Sequence, residues 1–77
     1  MDALEVTARF DVQGAIMPVR FVWKGLTYPV ASSGRSWEDE QGLHFLVMVP
    51  GDQIFELVFN THAHRWYLAW GGKPPYA

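Results

Sequence analysis

Residues 43–59 read Leu-His-Phe-Leu-Val-Met-Val-Pro-Gly-Asp-Gln-Ile-Phe-Glu-Leu-Val-Phe. Val, Ile, Phe and Leu dominate both halves of this stretch, and Val, Ile and Phe favour strands. The Gly51-Asp52 pair between the halves fits a two-residue hairpin loop. The stretch therefore predicts a central β-hairpin, and it contains no catalytic motif.

A two-residue loop at Gly51 and Asp52 sets the predicted register of this hairpin. It pairs Val49 with Ile54, and alternate pairs along the strands share a face. Pro50 leaves an alternative open, because it lacks the N–H that a hydrogen-bonded flanking residue donates. A type II turn centred on Pro50 and Gly51 would change the loop, and it could slip the register by one residue and swap the faces.

In the first register both faces of the hairpin are apolar. One face belongs to the predicted core and carries Leu46, Met48, Phe55, Leu57 and Phe59. The other face, with a neighbouring tyrosine, is the candidate interface and comprises Leu43, Phe45, Val47, Val49, Ile54, Val58 and Tyr67. A soluble monomer rarely exposes so large an apolar patch. We therefore expect a two-fold dimer to cover it, with residues 32–42 and the chain ends as the alternative cover.

A second hairpin is predicted around Lys24-Gly25, where glycine supplies the positive φ that a tight hairpin turn needs. Pairing Trp23 with Leu26 places the apolar residues of both strands on one face. In this register the missing N–H of Pro29 points away from the partner strand. The far side of that strand is therefore a predicted edge of the sheet.

The remaining segments extend the pattern at both ends of the chain. Residues 3–12 alternate between apolar and polar, as a half-buried strand does. A four-residue loop over 61–64 leads into a last strand, which pairs Phe59 with Trp66. Residues 32–42 form the longest segment without a strand pattern, and an N-cap at Ser36 followed by acids suits a single helical turn there.

These patterns predict an all-β domain of about six antiparallel strands, arranged as meander hairpins in a small barrel or sandwich with at most one short helical turn. Residues 1–70 form the predicted domain, and residues 71–77 form a flexible tail. The predicted core contains Phe21, Trp23, Tyr28, Leu46, Phe55, Leu57, Trp66 and Leu68.

Composition narrows the functional classes. The 77 residues contain no cysteine, which excludes disulfides and thiolate zinc sites. No leader pattern or apolar run of about 20 residues is present, so we expect a cytoplasmic protein. Net charge is −2, which gives no general attraction to nucleic acid.

The charges are nevertheless segregated along the chain. Residues 12–37 contain three basic residues and no acid, whereas residues 38–56 contain five acids and no Lys or Arg. Solvated charge on separate hairpins explains this arrangement. The alternative is electrostatic complementarity between two sheets or two subunits.

Few residues are arranged for chemistry. His62 and His64 have the i, i+2 spacing of metal ligands on a strand, but no third ligand is fixed nearby. Glu38, Asp39 and Glu40 are consecutive, and their side chains diverge on a helical turn. We therefore predict no catalytic residues, no cofactor and no metal site.

Several short stretches carry a resemblance to a known family. They are Phe-Val-Trp-Lys-Gly-Leu-Thr-Tyr-Pro-Val at 21–30, Trp37, His-Phe-Leu-Val at 44–47, Phe-Glu-Leu at 55–57 and Trp-Tyr-Leu at 66–68. On these stretches, which span about two thirds of the chain, the sequence resembles a family of small bacterial β-domains of unknown function. Some relatives occur beside or within proteins linked to error-prone DNA polymerases. The resemblance thus implies an accessory role in DNA repair, and it assigns no functional residue.

The residues themselves favour a non-enzymatic interaction module as the leading hypothesis. It would present a sheet face or edge to a protein partner or to a second copy of itself. The alternative is a nucleic-acid-associated accessory domain, for which we expect only weak, salt-sensitive binding.

Overall fold

The computed structural model describes residues 2–73, which form an all-β domain as predicted. The strands are β1 (Asp2–Phe10), β2 (Ile16–Trp23), β3 (Leu26–Pro29), β4 (Ser32–Asp39), β5 (Gly42–Val49), β6 (Gln53–Asn60) and β7 (Arg65–Lys73). They form one antiparallel sheet in the order β3-β2-β1-β7-β6-β5-β4. The described part of the chain contains seven strands and no helix, where about six strands were predicted.

The sheet curls into a barrel-like shape because β3 and β4, its two edge strands, are joined by only two residues. Val30 donates its backbone N–H to Val19 O on β2 at 2.9 Å. The next residue, Ala31, donates to Met48 O on β5 at 2.8 Å. These two bonds draw opposite edges of the single sheet together, as in the barrel-like alternative.

The predicted hairpin between β2 and β3 is confirmed. Lys24 and Gly25 have φ values of 51° and 76°, and positive φ at both central residues is the signature of a type I′ turn. Trp23 pairs with Leu26 as expected. Strand β3, which contains Pro29, lies at an edge of the sheet.

The predicted register of the central hairpin is wrong by one residue. Val49 pairs with Gln53, so the loop contains three residues, Pro50, Gly51 and Asp52. Proline within the loop needs no ladder hydrogen bond, whereas a two-residue loop would place it in the ladder without its N–H. The register slip that the Pro50-Gly51 turn allowed is the one observed.

This slip exchanges the two faces of β5 relative to β6. The inner face of the sheet holds the buried cluster Phe21, Val47, Val49, Phe55, Leu57 and Leu68, with Leu4, Val6, Trp23, Tyr28, Val30, Phe45 and Trp66 packed against it. Seven of the eight predicted core residues belong to this set. The exception is Leu46, which pairs with Glu56 and lies with Met48 on the opposite, outer face.

Phe55 is the centre of an aromatic cluster on the inner face. Its ring is fully buried and lies 4.9 Å from Phe21, 5.4 Å from Trp23 and 5.3 Å from Tyr28, measured between ring centroids. Gly71 of β7 lies directly against this ring, and a Cβ there would overlap it. The ring of Phe55, enclosed by aromatic rings of β2 and β3, therefore packs against the glycine backbone of β7.

The segment predicted to contain a helical turn is strand β4. It pairs with β5 from Ser32 to Asp39, with an irregularity between Ser33 and Ser36. Most of its side chains are exposed, so its sequence carries no apolar alternation. As an edge strand, β4 pairs on one side only, with β5 of the central hairpin. This pairing overrides the helix-start pattern at Ser36.

The last hairpin matches the prediction near its turn and departs from it further on. Phe59 pairs with Trp66 across the four-residue loop as expected, but Phe55 pairs with Gly71 instead of Trp70 because of a bulge. Strand β7 continues to Lys73, so the first three residues of the predicted tail belong to a strand. The rest of that tail, residues 74–77, lies outside the described residues.

Candidate functional site: a hydrogen-bonded cluster on the outer face

The seven residues of the predicted interface do not form one surface. The slipped register places Leu43, Phe45, Val47 and Val49 on the inner face. It leaves Ile54, Val58 and Tyr67 on the outer face. The surface available to a partner must therefore be defined again, from the outer face.

Side chains from four strands are joined on that outer face. His44 Nε2 lies 2.7 Å from Asp39 Oδ1, and His44 Nδ1 lies 2.9 Å from Glu56 Oε2. Trp70 Nε1 donates a hydrogen bond of 2.8 Å to Glu56 Oε1. Trp37 stacks on the imidazole, with ring centroids 5.0 Å apart and an interplanar angle of 9°. We call these five residues the outer cluster.

The turn between β4 and β5 brings Asp39 to His44. Asp39 Oδ1 also accepts the backbone N–H of Gln41 at 2.8 Å. Gly42 follows with a φ of 136°, a conformation that residues with a Cβ rarely adopt. A Cβ at Gly42 would overlap the backbone carbonyl of Phe59, so glycine lets β5 begin in close contact with β6.

The two carboxylates set the charge of His44. Burial has the largest single influence and lowers the pKa of His44, but the hydrogen bonds and charges of Glu56 and Asp39 together raise this pKa above its ordinary 6.5. The hydrogen bond with His44 in turn lowers the pKa of Asp39, and the backbone N–H of Gln41 lowers it further. Each ring nitrogen faces one carboxylate oxygen, so a protonated imidazole can donate one N–H to each carboxylate.

The partners of His44 enclose it. The residue is 3% exposed, and both of its ring nitrogens lie within hydrogen-bond distance of a carboxylate. Within residues 2–73, no three His, Asp or Glu side chains are grouped to hold a metal ion. His62 and His64 lie exposed in the turn after β6.

The outer cluster supports an apolar surface beside it. Trp70 is 41% exposed, and the half-buried side chains of Leu46, Met48 and Ile54 lie on the same face. We call these four residues the outer patch. Asp39, Glu56 and His44 thus hold Trp70 in place at the edge of an apolar area.

The sequence contained a signal for this cluster that the predicted register obscured. In that register His44 and Glu56 fall on opposite faces, each among apolar residues. In the observed register His44 pairs with Val58 and Glu56 with Leu46, so the two polar side chains share a face and bind each other. Buried polar groups need hydrogen-bond partners, and the slipped register brings His44 and Glu56 together. This requirement therefore favours the slipped register.

No family model, curated protein or solved structure matches the chain. The resemblance to bacterial β-domains therefore stays a prediction. Within residues 2–73 the structure has no helix with the length and apolar content of a membrane span.

The outer cluster predicts a pH dependence of folding stability. Because the folded-state pKa of His44 is raised, its stabilising contribution is complete below the unfolded-state pKa and is lost as the pH rises through the folded-state value. We expect the free energy of unfolding to fall as the pH is raised above about 6.5. The lowered pKa of Asp39 acts oppositely and removes stability as the pH falls below its ordinary value of 3.8.

Urea unfolding of wild type and His44→Gln across this pH range measures the effect. The variant should be less stable at pH 6 and should lose the decline toward alkaline pH. His62→Gln, in the exposed turn, should retain the wild-type profile. An unchanged alkaline slope in His44→Gln would show that His44 stays neutral in the folded protein.

Proposed function

We propose that the chain is a non-enzymatic interaction module that presents its outer patch to a protein partner. The observation that supports this best is Trp70, a 41% exposed aromatic whose indole N–H is held by Glu56 at 2.8 Å. Tryptophan is among the residues that dominate binding energy in protein interfaces. An exposed ring that is already oriented also loses less conformational entropy on binding.

The surroundings of Trp70 agree with this proposal. Leu46, Met48 and Ile54 supply apolar area around it, whereas the nearby charges of Asp39 and Glu56 are hydrogen-bonded within the outer cluster. A partner would therefore desolvate apolar side chains without leaving a buried carboxylate unpaired. This combination favours a protein surface as the ligand.

The alternative function, nucleic-acid binding in DNA repair, gains less support from the same face. Asp39 and Glu56 add negative charge there, and net charge is −2, so a phosphate backbone is not attracted. We expect fluorescence anisotropy with single- and double-stranded DNA to show only weak, salt-sensitive binding. Affinity tighter than ~10⁻⁶ M at physiological salt would favour the alternative.

A capture experiment with matched variants tests the proposed function. Immobilised wild type, Leu46→Lys and Thr27→Lys are each exposed to native lysate, and the bound proteins are identified by mass spectrometry. Leu46→Lys places a charge on the outer patch, whereas Thr27→Lys places one on the exposed surface of β3. We expect specific binding to wild type and Thr27→Lys, and its loss with Leu46→Lys.

Capture of the same proteins by wild type and by Leu46→Lys would contradict the proposal. If every protein bound by wild type also binds Leu46→Lys, the outer patch is not a binding surface. Circular dichroism of each variant must first match wild type, so that loss of binding cannot come from unfolding.

A further inference from the structure

The outer face carries an exposed aromatic ring and a groove. Trp70 on β7 is 41% exposed, and a groove of about 180 Å³ lies beside β4 on the same face. Leu46, Met48 and Ile54 line this groove together with Gly34 and Arg35, which belong to the irregular part of β4. We call it the β4 groove.

The β4 groove suits an aromatic side chain from outside the chain. An apolar cavity of about 150 Å³ is large enough to bind benzene, so the volume of the groove accommodates a ring. The chain's own Trp70 does not occupy it, because β5 and β6 lie between β7 and β4 and Glu56 holds the indole in place.

The charges at the two features are complementary. Arg35 lines the groove, and its segment belongs to the stretch 12–37 that contains no acid. Glu56, by contrast, is bonded to Trp70. A molecule that carried a tryptophan beside a carboxylate would meet the apolar lining and Arg35, whose guanidinium carbon lies 5.5 Å from the centroid of the Trp37 ring.

We infer that the partner is a second copy of this chain, in which Trp70 of each protomer enters the β4 groove of the other. This inference rests on the proposed function and names its partner. A two-fold axis through the outer face exchanges ring and groove, so both contacts form in one symmetric interface. Arg35 of one protomer then lies beside Trp70 and Glu56 of its partner.

The molecule has the dimensions that such a dimer requires. Its principal extents are 31 × 25 × 23 Å, and a standard interface buries about 800 Å² on each partner. The cross-section set by the two longer extents is of this size. The apolar outer patch and the hydrogen-bonded outer cluster beside it match the usual distribution of an apolar centre and a polar margin in protein interfaces.

Sedimentation equilibrium of wild type and two variants tests the inference. Trp70→Ala removes the ring, and Gly34→Leu obstructs the groove. Gly34 tolerates a side chain, since its φ is not positive and an added Cβ would meet only Leu46 O at 3.7 Å. We expect a wild-type dimer and about 1,000-fold weaker association in each variant. Each variant dimer loses two symmetric contacts, and truncating one interface hot spot of about 2 kcal/mol weakens association about 30-fold.

Mixing the two variants tests the exchange of ring and groove directly. In a mixed dimer the intact Trp70 of the Gly34→Leu chain meets the intact groove of the Trp70→Ala chain. One of the two contacts is thereby restored, whereas neither variant can form a contact with itself. The mixture should therefore associate more tightly than either variant alone.

The control for these measurements is Leu26→Ala, which shortens an exposed apolar side chain on β3 and should leave the dimer intact. Urea midpoints establish that each variant folds, and Arg35→Glu serves as a second groove variant if Gly34→Leu is destabilised. A monomeric wild type at hundreds of micromolar, a Trp70→Ala variant that associates as tightly as wild type, or a mixture no tighter than its components would overturn the inference. In that event, capture from lysate that Leu46→Lys abolishes would leave the proposed function standing, and its absence would reject both.

Discussion

Val47→Lys is expected to unfold the protein and not to yield a folded monomer. Val47 is 1% exposed within the inner cluster, and an ammonium group buried there without a partner costs several kcal/mol. A chain of this length has a total stability of about 4 to 12 kcal/mol. The substitution therefore removes most of the stability of the fold.

Met48→Lys is the matched control, because Met48 is the next residue and lies half-buried on the outer face. We expect this variant to remain folded and to lose self-association. Circular dichroism and urea unfolding of both variants show which of the two side chains faces the core, and this identifies the register of the central hairpin. A folded Val47→Lys beside an unfolded Met48→Lys would restore the two-residue loop and its opposite assignment of faces.

Gly71→Ala is expected to destabilise the protein strongly although it adds a single methyl group. The new Cβ would overlap the ring of Phe55, and that ring cannot withdraw because Phe21, Trp23 and Tyr28 surround it. Overpacking of this kind costs about 1 to 3 kcal/mol. In a domain of this size each kcal/mol lowers the melting temperature by roughly 4 to 8 °C.

Gly34→Ala separates this steric effect from the general consequences of replacing glycine. A Cβ at Gly34 has only an ordinary contact at 3.7 Å, so thermal unfolding of that variant should resemble wild type. Equal melting temperatures for wild type and Gly71→Ala would instead mean that residue 71 lies in a flexible tail, as the sequence predicted.

Local turn chemistry was sufficient to predict two of the hairpins. Lys24 and Gly25 adopt the positive φ values of a type I′ turn, and only one register is compatible with such a turn. The four-residue loop before Arg65 was equally well predicted, since the apolar pattern on both sides agrees with it. In these hairpins the turn and the pattern select the same pairing.

The central hairpin could not be resolved in this way because its pattern is apolar on both faces. When each face of a strand carries Leu, Val or Phe, a slip of one residue costs little apolar burial, and the turn alone decides. Pro50 made the turn ambiguous. The wrong register also concealed the candidate site, because His44 and Glu56 meet only in the observed register.

Strand β4 and the end of β7 were missed for a different reason. Their sequences, rich in Ser and Gly, have weak strand propensity, and both become strands through pairing with the central hairpin. Such pairing depends on contacts distant in sequence, which a local pattern does not contain. The role of Gly71 in particular depends on a phenylalanine on a neighbouring strand.

The order of strands in the sheet has a consequence for how the chain folds. The first and last strands, β1 and β7, pair with each other at the centre of the sheet, and Leu4 lies opposite Trp66. Closing a loop of about 60 residues costs roughly 3.6 kcal/mol of chain entropy beyond the constant cost of any loop closure. The two meanders on either side form from neighbouring hairpins at much lower entropic cost. We therefore expect docking of β1 onto β7 to limit the rate of folding. Until that step the central strands would present unpaired backbone edges to other nascent chains.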